Sequence, residues 1–405
     1  MRNKSAWGQI SLIAIVGLCG WGCTIKNDMT GTGGDTGSGG SQGSGSGGST
    51  GSGGTSPSGT GGMTTTGGGC PPATPSSDAK GPGTAAGSTM GPCDIYAADG
   101  GPCVAAHSTV RALYGAYNGP LYQVRKGAPD CTPHDVYPLE AGGFANSADQ
   151  DSFCGTGACT ISVIYDQSGK GNHLMKAPGG GAKTTPDNEA KATGISAMFS
   201  GHKVYGVHIV SGVGYRNNSP SGTATGDNPE TEYMVVGGNL YNGACCFDYG
   251  NMETTSRDDG EGTMEAVYFG TCTIWGKGAD MGPWVMGDLE NGLWAGSSSP
   301  YNANTPVTYP YITGMVKGDA AGKNHWTIKV GNAQSGMLAT PFDGQRPSSR
   351  YNPMRKEGAI GLGTGGDNSN GAQGNFFEGV MTAAYASNKA DDDVQANIVA
   401  AYGGQ

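Results

Sequence analysis

A mainly β fold, most simply a β-sandwich with few short helices, is what this sequence predicts, and three observations carry it. Past residue 90 the chain breaks into short runs rich in Val, Ile, Tyr and Phe. Gly, Asn or Asp bounds nearly every run, as strands between turns require. Only two stretches show convincing helical spacing.

Taken in order, the first of those stretches is 104–114, with Val104, Leu113 and Tyr114 as its apolar contacts. Strands are expected at 160–166, 204–210, 233–236, 266–269, 284–286, 311–316, 326–330, 359–362 and 376–385. Their β-branched and aromatic residues fit a pleated, half-buried surface. Many short strands between turns point to a sandwich of the concanavalin or jelly-roll kind, with a barrel as the other solution. The last element is a helix over 391–402, where Val394, Ile398 and Tyr402 share one face. Ser387 or Asn388 could cap it, and Gly403 could end it.

Before the strands come two segments of another kind. Arg2 and Lys4 precede a short apolar run, 10–18, well under the roughly 20 residues a bilayer crossing needs. Residues 1–23 read as a signal peptide, so an exported protein is expected. Cys19 and Cys23 follow the run. Two outcomes fit: free secretion, or a membrane tether through a lipidated Cys23. Residues 24–90 are dominated by Gly, Ser, Thr and Pro, with too little apolar surface to offset the entropy of ordering. They read as a disordered linker, leaving 91–405 as one domain.

The formal charge of −10 excludes a nucleic-acid partner, since phosphate binding needs clustered Lys and Arg. Neutral ligands such as sugars suit this balance, and a monomer is expected. Eleven cysteines in an exported chain can sustain disulfides. The spacings suit local pairs, Cys93 with Cys103 and Cys154 with Cys159. Neither a Cys-x-x-Cys pair nor a His cluster of ligand spacing occurs, so neither metal nor cofactor is expected.

Three stretches crowd Gly, Asn and acidic residues between strands: 242–251, 284–292 and 363–371. In the second, Asp288 and Glu290 are two apart; on an extended segment they would face one side and share a cleft. Paired carboxylates are the usual equipment of glycoside hydrolysis, although spacing alone fits solvated loop-end acids better. For Asp367, in Gly-Gly-Asp-Asn, ordinary turn chemistry is the stronger reading still. Cys245 and Cys246 are adjacent. Neighbouring Cα atoms lie about 3.8 Å apart, below the roughly 4.4–6.8 Å of most disulfides, so separate partners such as Cys131 and Cys272 are the simpler expectation. Bonding the two together would put a rigid sulfur surface in a loop. Trp275 offers a flat apolar face, to a sugar or to the core.

Taken together, these segments resemble the catalytic domain of family 54 glycoside hydrolases, the α-L-arabinofuranosidases of type B. The likeness runs through Gly91-Pro-Cys-Asp-Ile-Tyr96, Ala105-Ala-His-Ser-Thr109, 111–124 and Tyr165-Asp-Gln-Ser-Gly-Lys-Gly-Asn-His-Leu174. It continues in Gly214-Tyr-Arg-Asn-Asn218, 242–251, Asp288-Leu-Glu-Asn-Gly292, Tyr351-Asn-Pro-Met354, Gly365-Gly-Asp-Asn-Ser-Asn-Gly-Ala-Gln-Gly374 and Val394-Gln-Ala-Asn-Ile-Val-Ala-Ala401. That is nearly the whole region beyond the linker.

The resemblance implies a β-sandwich and a retaining, two-step release of terminal α-L-arabinofuranosyl groups from arabinan or arabinoxylan of plant cell walls. It places the nucleophile on Glu290 and the acid/base on Asp367. It implies that Asp288, Asn291 and Gly366 contact the sugar, with Trp275 bordering the subsite. Cys245 and Cys246 would form a vicinal disulfide lining the pocket, and Cys93–Cys103 and Cys154–Cys159 match family disulfides. Cys131 and Cys272 lack counterparts and could pair with each other; Cys70 is unassigned. The arabinose-binding module common in relatives is not found before Gln405, so weaker binding to insoluble wall polymer is expected. A lectin-like domain without hydrolysis is the rival reading, and β-xylosidase or endo-glycanase activity a second enzymatic one.

Overall fold

The computed structural model describes residues 69–82, 90–320 and 322–404. The signal segment 1–23 and linker residues 24–68 lie outside them. The described residues fall in one compact unit built of two large antiparallel sheets and a small third one.

The larger sheet runs in the order Ser335–Gln345, His325–Asn332, Tyr311–Gly318, Glu230–Gly237, Gly374–Thr382, His202–Ile209 and Ile195–Phe199, with Cys103–Ser108 also pairing Gly374–Thr382. The seven-stranded sheet runs Leu293–Trp294, Trp284–Asp288, Glu265–Gly270, Asp248–Met252, Ala359–Leu362, Tyr215–Asn217 and Met175–Lys176. Tyr122–Lys126, flanked by Pro133–Val136 and Cys159–Ile164, forms the third. The expected β-sandwich is what forms.

Period-two alternation explains both the core and the place of the site. In Trp284–Asp288, Val285 points into the core between the sheets. Gly287 points the same way, and its missing Cβ leaves room for the Trp326 ring, whose Cζ3 would lie 2.6 Å from one. Trp284 and Met286 face the opposite side and pack with Tyr268 and Cys246. Asp288 follows them in alternation, onto the outer face of the seven-stranded sheet. Between the sheets lie Tyr249, Val267, Phe269, Trp326 and Phe376, all buried. Burying a side chain of this size contributes about 1.5–3 kcal/mol, so the sheet bearing the site is firmly held.

Most predicted strands form, with ends moved by a few residues. The helix expected over 104–114 does not form. Cys103–Ser108 is a strand there, buried along its whole length and paired with Thr382 back to Glu378. A strand covered on both faces has no polar alternation, so its run imitates a helix segment. The short helices Pro92–Ala98 and Ser147–Cys154 were not anticipated. The terminal helix spans Asn388–Tyr402, and the Ser387 hydroxyl accepts from Ala390 N at 3.1 Å as its N-cap.

Residues 69–82, assigned to the linker on composition, are bound to the domain. Cys70 forms a disulfide with Cys131, Ser76 N donates to the Tyr165 hydroxyl at 2.9 Å, and Tyr137 donates to Asp78 at 3.2 Å. A covalent staple orders a segment whose own apolar content could not. The expected Cys131–Cys272 pair is thereby overturned; Cys272 is buried against Tyr268 and Trp284. Cys93–Cys103 and Cys154–Cys159 form.

Candidate active site

The site grows from the end of Trp284–Asp288. Asp288 is the last residue of the strand, and a turn follows in which Leu289 N donates to Gly292 O at 3.1 Å. Glu290 and Asn291 take left-handed backbone angles, φ 61° and 53°. Such conformations cost non-glycine residues about 1–3 kcal/mol each and persist only where surroundings impose them. Here Glu290 N donates to Asp288 Oδ1 at 3.1 Å, and the Tyr351 hydroxyl lies 3.3 and 3.2 Å from the carbonyls of Glu290 and Asn291. Trp294 packs edge-on against Tyr351. Asp288 and Glu290 therefore share a cleft through a clamped turn, and the extended segment expected from their spacing is absent.

The facing wall is the loop 363–371. Asp367 is half-buried, and its Oδ1 accepts from Ser369 N at 2.9 Å. Asn368, at φ 68°, donates to Asp187 from behind. Gly366 fixes the distance between the walls: a Cβ there would lie 2.5 Å from Glu290 Oε2 and collide with Glu253 Oε2. A Cβ on Gly365 would lie 3.5 Å from Cys246 Sγ. The loop carrying Asp367 thus runs between Glu290 and the adjacent cysteines.

Cys245 and Cys246 are bonded to each other, against the separate partners that trans geometry favoured; the peptide between them is cis. Their sulfurs and a carboxylate oxygen of Asp288 lie within 4.8 Å of one another. That trio is the one candidate metal group among the described residues. Bonded sulfurs are not the thiolates that bind metals, so the trio reads as pocket wall. Half-buried Trp275 packs on the same cluster. Asn291 sits apart: exposed at the rim, it donates to Asp258 at 3.0 Å.

Three residues here were not anticipated. Glu253 is buried, accepts from the Thr263 hydroxyl at 2.6 Å, and turns its Oε2 toward the Glu290 carboxyl beside Gly366. Asp248 is buried with no donor to either carboxyl oxygen, and burial followed by the Asp288 charge raises it well above the ordinary carboxylate range. Arg216 lends positive charge, yet its donors go to Gly365 O, Glu253 O and Asn218 Oδ1. Asp248 lies in one of the Gly/Asn-rich stretches, so its region was legible; Glu253 carried no local signal.

Crowding and burial set the charge state. Desolvation, then Glu253 and Asp288, push the Glu290 carboxyl up to about 12. Desolvation lifts Asp288 to about 7 against the hydrogen bonds from Glu290 N and Asp248. Burial likewise raises Glu253 and Asp248. Burial and crowding thus favour protonated forms among these acids. Chemically, it presents a carboxyl on each wall, further acids to accept sugar hydroxyls, and an apolar face of sulfur and indole.

Comparison with known proteins matches residues 92–403 to the family described as "Alpha-L-arabinofuranosidase B, catalytic". A probable α-L-arabinofuranosidase B of Aspergillus fumigatus is 59% identical over 317 residues, covering 77% of this chain and 62% of that protein. A Trichoderma koningii protein named arabinofuranosidase/B-xylosidase is 56% identical over 325 residues, covering 78% of this chain and 64% of the other. Among solved structures, an arabinofuranosidase complexed with arabinofuranosyl-α-1,2-xylobiose superimposes with a TM-score of 0.75 at 52% identity, covering 77% of this chain and 65% of that one. This chain therefore spans less than two thirds of the length of the relatives it matches.

Proposed function

The chain belongs to the α-L-arabinofuranosidase B catalytic family, and from that membership we propose that it is a retaining, exo-acting α-L-arabinofuranosidase. The observation that carries this reading is Gly366, which sets the Glu290 carboxyl against the loop bearing Asp367 with no side chain between. Glu290 attacks the anomeric carbon while Asp367 protonates the departing glycosidic oxygen. Asp367 then takes a proton from the water that displaces Glu290, and arabinose leaves with its configuration kept. Asp288 accepts from sugar hydroxyls, the Cys245–Cys246 disulfide and Trp275 cover the apolar face of the ring, and Gly366 admits it closely. Asn291 contributes at the rim. No step calls for a metal or cofactor.

The relatives' names give arabinofuranosyl groups, carried on xylobiose in one solved complex; we extend this to terminal groups on arabinoxylan or arabinan. A lectin-like module would gain nothing from a clamped turn that desolvates four acids. We also read the protein as exported, free or tethered at Cys23; the four disulfides among the described residues suit an oxidising compartment.

The test is release of p-nitrophenol from p-nitrophenyl α-L-arabinofuranoside by wild type, Glu290→Ala and Asp367→Ala, with the β-xyloside run beside it. Activity in the wild type alone supports the reading. No release by folded, disulfide-intact protein overturns it and moves the assignment to the lectin-like alternative. Preference for the β-xyloside would transfer the mechanism to that substrate.

A further inference from the structure

Glu253 lies in the pocket wall and faces no open space a sugar could enter; it is fully buried. Its Oε2 converges with Glu290 Oε2 on the position a Gly366 Cβ would take, and it has no donor from any other group. Two carboxyl oxygens brought together with no other donor to Glu253 Oε2 favour a proton between them. At the other end, the Thr263 hydroxyl lies 2.6 Å from Glu253 Oε1 and 2.6 Å from Gly260 O. The Thr263 hydroxyl thus holds Glu253 Oε1 and leaves Oε2 to face Glu290. Arg216 reaches Glu253 only at its backbone carbonyl, which fixes the residue's place without neutralising its carboxyl.

From this geometry we infer that Glu253 is a positioning residue: the proton shared by the pair rests on Glu290 until a sugar enters, and Glu253 then takes it and returns it as a hydrogen bond, so that Glu290 is ionised and aimed when it attacks. The inference rests on the assignment of Glu290 as nucleophile. No proton leaves the pair during the reaction: Glu290 forms its bond to the anomeric carbon, and the leaving oxygen takes its proton from Asp367. As Glu290 passes from anion to ester, it becomes a poorer acceptor and the hydrogen bond from Glu253 weakens; on deglycosylation it strengthens again. That change favours the ionised states on either side of the intermediate. The titratable and charged groups facing Glu253 are Glu290, Asp288 and Asp248 on the acidic side and Arg216 on the basic side. Asp258 also faces Glu290. A donor favours the charged form of its acceptor, whereas an ionised neighbour disfavours it. The two roles for Glu253 therefore predict opposite pH shifts.

The experiment compares Glu253→Gln and Glu253→Ala with wild type by pH profiles of kcat and kcat/KM on p-nitrophenyl α-L-arabinofuranoside, after thermal melts establish folding. Glu253→Gln keeps a donor and is expected to hold kcat within about tenfold with the acidic limb in place. Glu253→Ala is expected to lose about 100-fold in kcat with little change in KM, as for a lost charge-assisted hydrogen bond, and to move the acidic limb to higher pH. The infrared difference between wild type and Glu253→Gln at neutral pH should show a protonated-carboxyl band missing from the variant, whether or not the substrate is right. An acidic limb moved to lower pH in Glu253→Gln, a dead Glu253→Gln, or no such band would overturn the inference. If Glu253→Ala does not fold, the Gln variant and the infrared band decide. An inactive wild type would sink the assigned activity and leave the band to test the proton.

Discussion

Two groups of buried acids flank the same sheet, and they are treated differently. Between the sheets, Glu230 and Glu265 pair with buried Lys356 at 2.8 and 3.0 Å, while Glu232 accepts from Asn251 N at 3.0 Å. On the outer face, Asp248, Asp288, Glu253 and Glu290 press on one another beside Arg216, whose donors go to carbonyls and an amide. Taking a carboxylate out of water costs several kcal/mol unless something compensates. A lysine compensates for part of the first group, pairing with Glu230 and Glu265. Protons compensate in the second, and a proton can move or be displaced by a sugar hydroxyl. The first arrangement suits a frame, the second a reactive site.

The sharpest way to break the comparison is Glu290→Ala. It should lower kcat/KM about 10⁴-fold and yet raise the melting temperature at pH 8, because it removes a desolvated acid from a crowd. A lowered melting temperature would mean that the outer acids also serve as a frame. Next in size is Lys356→Met, which strands Glu230 and Glu265. Urea denaturation should show a loss of about 3–5 kcal/mol, with turnover per folded molecule retained.

Both groups should also make stability depend on pH in one direction. Burial raises Glu230 and Asp288 to about 7 and lifts Glu232 and Asp248 above the ordinary carboxylate range. Between the unfolded and folded values the native state binds more protons than the unfolded one. Stability is therefore full below about pH 4 for these groups and falls as pH rises through 7, by about 3 kcal/mol for a group displaced as far as Glu230. Denaturation midpoints at pH 5 and 8 check the sign; a rise toward pH 8 would contradict it. The smallest effect is Asp248→Ala, which removes the partner of a sugar-facing acid. KM should rise about tenfold with kcat nearly kept, and an unchanged KM would detach Asp248 from substrate binding.

Much of this was legible in the chain. Strands such as Ala359–Leu362 show as short apolar runs bounded by turn residues, here Gly358 and Gly363, although burial along the whole length leaves this one no alternation. The terminal helix shows its cap, Ser387, because an N-cap is a local hydrogen bond. The stretches 242–251, 284–292 and 363–371 stood out by composition, and all three converge. Cys103–Ser108 was misread because burial on both sides erases alternation. Residues 69–82 were misread because the disulfide partner of Cys70 lies 61 positions away.

By itself, then, the sequence determined the mainly β class, the family and the stretches from which the pocket is made, since these depend on local pattern and on motifs. Tertiary structure alone decided that Glu290 turns back through a left-handed turn clamped by Tyr351, that Cys131 bonds Cys70, and that Glu253 stands behind Glu290. Protonation was decided there as well, because a carboxyl's charge depends on how much water and which neighbours surround it. No run of residues carries that information until distant strands have packed.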